Sequence, residues 1–249
     1  MSGPFPEAGN AAPGFGTDAS FAHRQIFRRD EKWADALAII SSAKSRDPLN
    51  SPVTELRAGL LMGIVTATKK YAPSIMGVLA SAYTGVSTTA TSMTVSAATA
   101  TELVRRVGSS GTFLLVGPAT ANGQIVETQI TYSAVNTTTG VITITDPDVN
   151  KVAGSFLCPE DGSQYPKTVL DGGGYPIRVV DQDGNARDAQ MKLSLGGFIN
   201  TANIVNYPTD TSLIAWIKAK LNGGAVGTET TATLAPSETP FQFDDRYNL

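Results

Sequence analysis

Residues 124–133 read Gln-Ile-Val-Glu-Thr-Gln-Ile-Thr-Tyr-Ser. Val126, Ile130 and Tyr132 fall on one side of this run, and Glu127, Gln129 and Thr131 on the other. Successive side chains of a strand point to opposite faces, so this period of two marks a half-buried β-strand. Ile142 and Ile144 alternate with Thr143 and Thr145 in the same way. Between the two runs, residues 136–140 (NTTTG) supply a hairpin turn with the glycine it needs. Further out, residues 111–117 (GTFLLVG) and Thr94-Val95 read as more strands, which makes 85–147 a β unit. One short helix interrupts it. Thr99 and Glu102 stand at capping-box spacing, Leu103, Val104 and Val107 follow, and Gly108 marks the stop.

The flanks extend this β-rich reading. Residues 53–80 predict two or three short strands, with Gly59, Gly63 and Gly77 at their bends and Thr68-Lys69-Lys70 in a turn. Residues 151–207 predict short strands punctuated by Asp161-Gly162, 171–174 and Asp183-Gly184. Two amphipathic helices are expected around them. In 30–46, capped by Asp30 and ended by Asp47-Pro48, Trp33, Ala36, Leu37 and Ile40 share a face. In 210–221, capped by Thr209 or Asp210 and closed by Asn222-Gly223, Leu213, Trp216, Ile217 and Leu221 do so. Residues 1–27 and 223–249 lack either period and read as extended arms. Phe5, Phe15, Phe21 and Phe27, spaced along the first arm, and Trp33 beyond it are candidate anchors for a partner's groove.

Composition narrows the function. Charged residues make up 16% of the 249, against roughly 25% in an ordinary soluble domain. From residue 71 to 150 only Glu102, Arg105, Arg106, Glu127, Asp146 and Asp148 are charged, and threonine takes over the polar strand face. A face without charge costs less to desolvate, which suits contact with other protein. The net charge is −3 and the pI about 5.2. No basic stripe offers a phosphate backbone its counter-charge, so nucleic acid is not the expected partner. No run is long and apolar enough to span a bilayer, and the first residues show no secretory pattern, so synthesis in a cytoplasm is expected.

Tests for chemistry find no foothold, and a non-enzymatic protein without cofactor or metal is expected. His23, the single histidine, lies in the first arm, where nothing holds it beside a nucleophile. Cys158 is alone and reads as a small core residue. Asp181-Gln182-Asp183-Gly184-Asn185 has a glycine too early for a calcium loop and reads as a turn. Gly172-Gly173-Gly174 lacks the Lys-Ser/Thr and helix of a phosphate loop.

The run 55–63 (ELRAGLLMG), then 66–73 (TATKKYAP) and Gly77-Val78-Leu79, resembles the lambda-type head decoration proteins of tailed bacteriophages. Residues 105–118, 132–145 and 210–221 also look phage-like. The resemblance implies a mainly β (α+β) fold: a compact β-barrel or β-tulip-like core from 53–84 and 148–222. Into this core 85–147 is inserted as a β-sheet unit, with 1–52 and 223–249 outside it. It further implies a virion protein on the outer capsid surface, made in a bacterial host. There it would cement neighbouring major capsid protein subunits, as a homotrimer or, given the enlarged chain, a dimer. A phage fibre or adhesin module recognising host glycan is the alternative, and a cell-wall or capsid hydrolase a third.

Overall fold

A computed structural model of the chain describes residues 26–85, 91–118, 125–145, 149–171, 175–223 and 241–244. Among the described residues the fold is mainly β, with two short α-helices. Its strands are β1 (Phe27–Ile40), β2 (Glu55–Leu56), β3 (Leu61–Ile64), β4 (Tyr71–Pro73), β5 (Gly77–Val78), β6 (Ser92–Thr94), β7 (Gly111–Pro118) and β8 (Ile125–Asn136). There follow β9 (Val141–Ile144), β10 (Phe156–Pro159), β11 (Thr168–Val169), β12 (Ile177–Arg178), β13 (Ala189–Asn200) and β14 (Phe241–Asp244). The helices are α1 (Ala97–Arg106) and α2 (Thr211–Leu221).

The strands form two six-stranded sheets and a small β12–β2 pair. The first sheet runs β11-β3-β4-β1-β13-β14 and the second β5-β10-β7-β8-β9-β6. The second sheet curls until its edges meet: Leu79, just after β5, bridges Val95, just after β6, and Ala80 N donates to Thr94 O at 2.9 Å. The sheet is thus curled like a barrel wall, its two edges touching at that one bridge. Met93, Phe113, Leu115, Ile130, Tyr132, Ile142, Ile144 and Leu157 fill its interior, and α1 adds Ala100 and Leu103. This sheet reaches beyond 85–147 at both ends, because β5 and β10 complete it.

The wall made by β7 and β10 is buried on both sides. Its outward residues Leu114, Val116, Phe156 and Cys158 pack with Ile26, Phe27, Leu61, Val169 and Ile199 of the first sheet region and with Leu213, Trp216 and Ile217 of α2. The Phe156 and Trp216 rings lie 5.9 Å apart. Each such side chain removed from water contributes on the order of 1.5–3 kcal/mol. A third cluster, including Ile40, Leu56, Met62, Leu170 and Met191, closes the far side of the first sheet.

Several expectations change. The helix expected over 30–46 is strand β1, paired antiparallel with β13. Its end alternates, with Ala38 and Ile40 buried and Leu37 and Ile39 exposed. Trp33, Ala36, Leu37 and Ile40 fit helical spacing, but a twelve-residue partner strand decides the conformation. The Thr99–Glu102 capping box is displaced as well: Ser96 is the cap, and its Oγ accepts from Thr99 N at 3.1 Å. Gly63 and Gly77 lie within strands, not at bends, and the expected short strands of 151–207 end in the long β13. Within 223–249, Phe241–Asp244 forms a strand that joins the first sheet.

Other readings hold. Asp210 caps α2, accepting from Ser212 N and Leu213 N, and Leu213, Trp216, Ile217 and Leu221 are buried. Asp181–Asn185 is a turn, bridged at Val180 and Ala186. The 136–140 turn closes through Gly140 at φ +73°, where an added Cβ would lie 1.9 Å from Val95 O. Gly140→Ala combines left-handed backbone strain with that clash. It is expected to destabilise the fold by about 2 kcal/mol or more in urea titration.

Candidate functional site

Strands β6, β9 and the second half of β8 form the barrel wall that faces away from the first sheet. Met93, Ile142, Ile130 and Tyr132 point inward, and Tyr132 Oη donates to Gly108 O at 2.8 Å. Ser92, Thr94, Thr131, Ser133, Thr143 and Thr145 point out and are exposed. Among the described residues 91–145, every exposed residue is uncharged. The turn at the end of this wall is held by Asn136, whose Oδ1 accepts from Thr138 N and Thr139 N at 3.0 Å each. Beside it lies a shallow hollow of about 630 Å³, lined by residues that include Asn136, Thr137, Thr139 and Thr143. β-branched threonine satisfies the strand backbone and still offers a hydroxyl. Among the described residues, the wall is thus polar, regular and free of formal charge.

The charged residues described between 91 and 145 are turned the other way, into the junction with the rest of the chain. Arg106, at the end of α1, has its guanidinium fully buried. It donates to Pro73 O at 2.6 Å, Ser163 Oγ at 2.5 Å and Asp161 Oδ2 at 3.3 Å. Burial lowers the Arg106 pKa, and Asp161 opposes that shift. Burial pushes Asp161 upward, but Arg106 and the hydrogen bonds from Ser163 outweigh it and hold the carboxyl below its ordinary range. Arg105 clasps Glu102 with two bonds of 2.6 Å and donates to Ala43 O at 2.7 Å. Lys44 Nζ donates to Arg106 O at 2.9 Å, placing a cation where the helix dipole favours one.

Glu127 anchors the second half of the junction. Trp216 Nε1 donates to its Oε1 and Tyr165 Oη to its Oε2, each at 2.8 Å. Lys220 Nζ stands 3.5 Å from Oε1 and 4.2 Å from the Tyr165 ring centroid. Burial pushes Tyr165 up to about 12, and the bond to Glu127 adds to this. Both carboxylate oxygens already have partners from this chain, so the group docks α2 against β8. Cys158 is buried beside it, and burial drives its thiol pKa well above the ordinary value. A thiol so protonated is a poor nucleophile. The fully buried Lys151 donates from Nζ to Gly117 O at 3.1 Å and to Val126 O, tying β7 to β8.

Of the anchors expected from sequence, Phe27 and Trp33 fall within the described residues. Phe5, Phe15, Phe21 and His23 lie outside the described residues. Phe27 is a core residue, its ring 6.5 Å from that of Phe241 and 8% exposed. Trp33 lies on β1 opposite Ser194. The inward network was missed, although Arg105-Arg106 at a helix end and Glu127 alone in a threonine-rich strand were visible cues. Among the described residues, no group of three or more His, Cys, Asp or Glu is arranged to hold a metal ion. No described helix is long and apolar enough to cross a membrane. No protein-family model, curated protein or solved structure matches the chain.

Lys151 gives this junction a pH dependence. Burial lowers its pKa from 10.5 to about 8, with Glu127 opposing. The folded chain then sheds this proton before the unfolded chain does, so the group's contribution to stability rises with pH between those values. Tyr132 and Tyr165, pushed up to about 12, act in the opposite sense above their ordinary pKa of 10. Between pH about 8 and about 9.5, the stability of the native chain should therefore rise relative to that of Lys151→Met. Urea titrations across that window measure the difference.

Proposed function

We propose that this chain is a non-enzymatic structural protein of a bacteriophage virion. In this reading it sits on the outer capsid surface and cements neighbouring major capsid protein subunits. The observation that carries the reading is the charge-free outer wall of the barrel, centred on Thr94 and Thr143. Hydroxyl-lined strands lose less on desolvation than lysine or glutamate would, and they pack flat against another protein. The stretches that resemble decoration proteins support it as well. They run through β2 of the small β12–β2 pair, β3 and β4 of the first sheet and β5 at the edge of the second. A protein that straddles subunits binds the assembled shell and not the parted subunits, so mass action favours the shell. A homotrimer, or a dimer, would multiply that attachment.

The hollow beside Asn136 and Thr137 favours a second reading, a fibre or adhesin module that binds host glycan. Hydroxyl and amide groups can hydrogen-bond a sugar, and retention on a glycan array without shell binding would select this alternative.

The test uses purified empty shells. The chain should bind them stoichiometrically and raise their melting temperature. Thr94→Lys with Thr143→Lys alters only exposed positions, so the chain's own stability should shift by no more than about 0.5 kcal/mol per site. Binding should nevertheless weaken by roughly tenfold or more, since burying two unpaired ammonium groups costs at least about 1.4 kcal/mol. Unchanged shell binding would count against the wall as the contact. Because Ile26 and Phe27 are core residues, an arm truncation should stop at residue 25. That truncation is expected to weaken attachment and leave the melting temperature of the chain unchanged.

A further inference from the structure

We infer that β14 is an exchangeable strand, able to complete the first sheet of a second copy of this chain as well as its own. β14 lies at the outer edge of that sheet, paired parallel with β13 through Gly197↔Phe241 to Asn200↔Asp244. Phe241 is 3% exposed, packed in the same cluster as Phe27, Ile199 and Leu221. Asn222, the cap of α2, grips the backbone of Phe241 on both sides. Its Oδ1 accepts from Phe241 N at 2.9 Å and its Nδ2 donates to Phe241 O at 3.2 Å. Lys218 Nζ sits 5.3 Å from the Phe243 ring centroid.

Each of these partners lies before residue 224, so the receiving site is complete without the chain that follows it. Residues 224–240 are seventeen in number, yet they join Gly223 to a strand whose first residue already touches Asn222. Fully extended, such a stretch spans on the order of 55 Å, enough to reach an adjoining molecule. Closing it on its own chain costs an entropy that grows only slowly with length. Delivering the same strand to a neighbour forms the same ladder and the same asparagine grip. Local concentration then decides between the two, and an assembled array raises it. The second copy is the one partner needed, so the inference goes beyond the capsid reading and does not depend on it.

The test pairs Phe198 with Gln242, which face each other across β13 and β14. Phe198→Cys and Gln242→Cys are placed in separate full-length chains and co-expressed, and the purified protein is oxidised. Buried Cys158 stays out of the reaction. A covalent dimer that forms only when both variants are present is the expected result. A bond that forms only inside a chain carrying both substitutions, with no dimer from the mixture, overturns the inference. Should Phe198→Cys fail to fold, native mass decides instead. The full chain should self-associate and a chain ending at Gly223 should be monomeric; equal mass per copy number in both would overturn the inference.

Discussion

The buried guanidinium of Arg106 is the interaction on which the rest of the structure depends. It joins the end of α1, which helps fill the barrel, to the end of β4 and to the turn at Asp161 and Ser163. A buried arginine is tolerable only when its donors are met, and removing one partner leaves a charge that is costly to keep dry. Here three acceptors from two separate segments meet it. Glu127 does the same from β8, holding Trp216, Tyr165 and Lys220 of the facing elements. The two networks flank the apolar seam of Leu114, Val116, Phe156 and Trp216 and fix how the barrel meets the first sheet.

This arrangement has a consequence for the surface. The charged side chains of the described barrel segment, Glu102, Arg105, Arg106 and Glu127, are buried or half-buried at the junction. The opposite wall is left with threonine, serine and asparagine. A scarcity of charge in composition thus becomes, among the described residues, a polarity of the barrel, with one side internally ion-paired and the other uncharged. That polarity is what supports the proposed role in adhesion. The polar groups nearest to a catalytic constellation, around Glu127 and Cys158, face inward and are satisfied by the chain itself.

Much of the β architecture was legible from local pattern. Val126, Ile130 and Tyr132 announced β8, the NTTTG turn announced the hairpin, and Leu213, Trp216, Ile217 and Leu221 announced α2. What failed were features that depend on distant partners. Trp33 to Ile40 satisfies a helical spacing, and only β13, some 150 residues onward, makes it a strand. The meeting of the curled sheet's edges at Leu79 and Val95 rests on one bridge that no periodicity reports. Phe241-Gln242-Phe243 alternates like a strand, but three residues are too short a signal amid glycine, threonine and proline. The inward aim of Arg106 was illegible for the same reason, since its acceptors sit at positions 73, 161 and 163.

In the proposed function, the uncharged barrel wall is the face this chain offers to other protein. The most direct measurement is an electron-microscopy reconstruction of assembled shells with the chain bound. The account predicts that Thr94, Thr143 and the 136–140 turn lie against a capsid subunit, with the Arg106 junction held away from the shell. A reconstruction in which that wall faces open solvent, while the chain attaches through the first sheet, would contradict it.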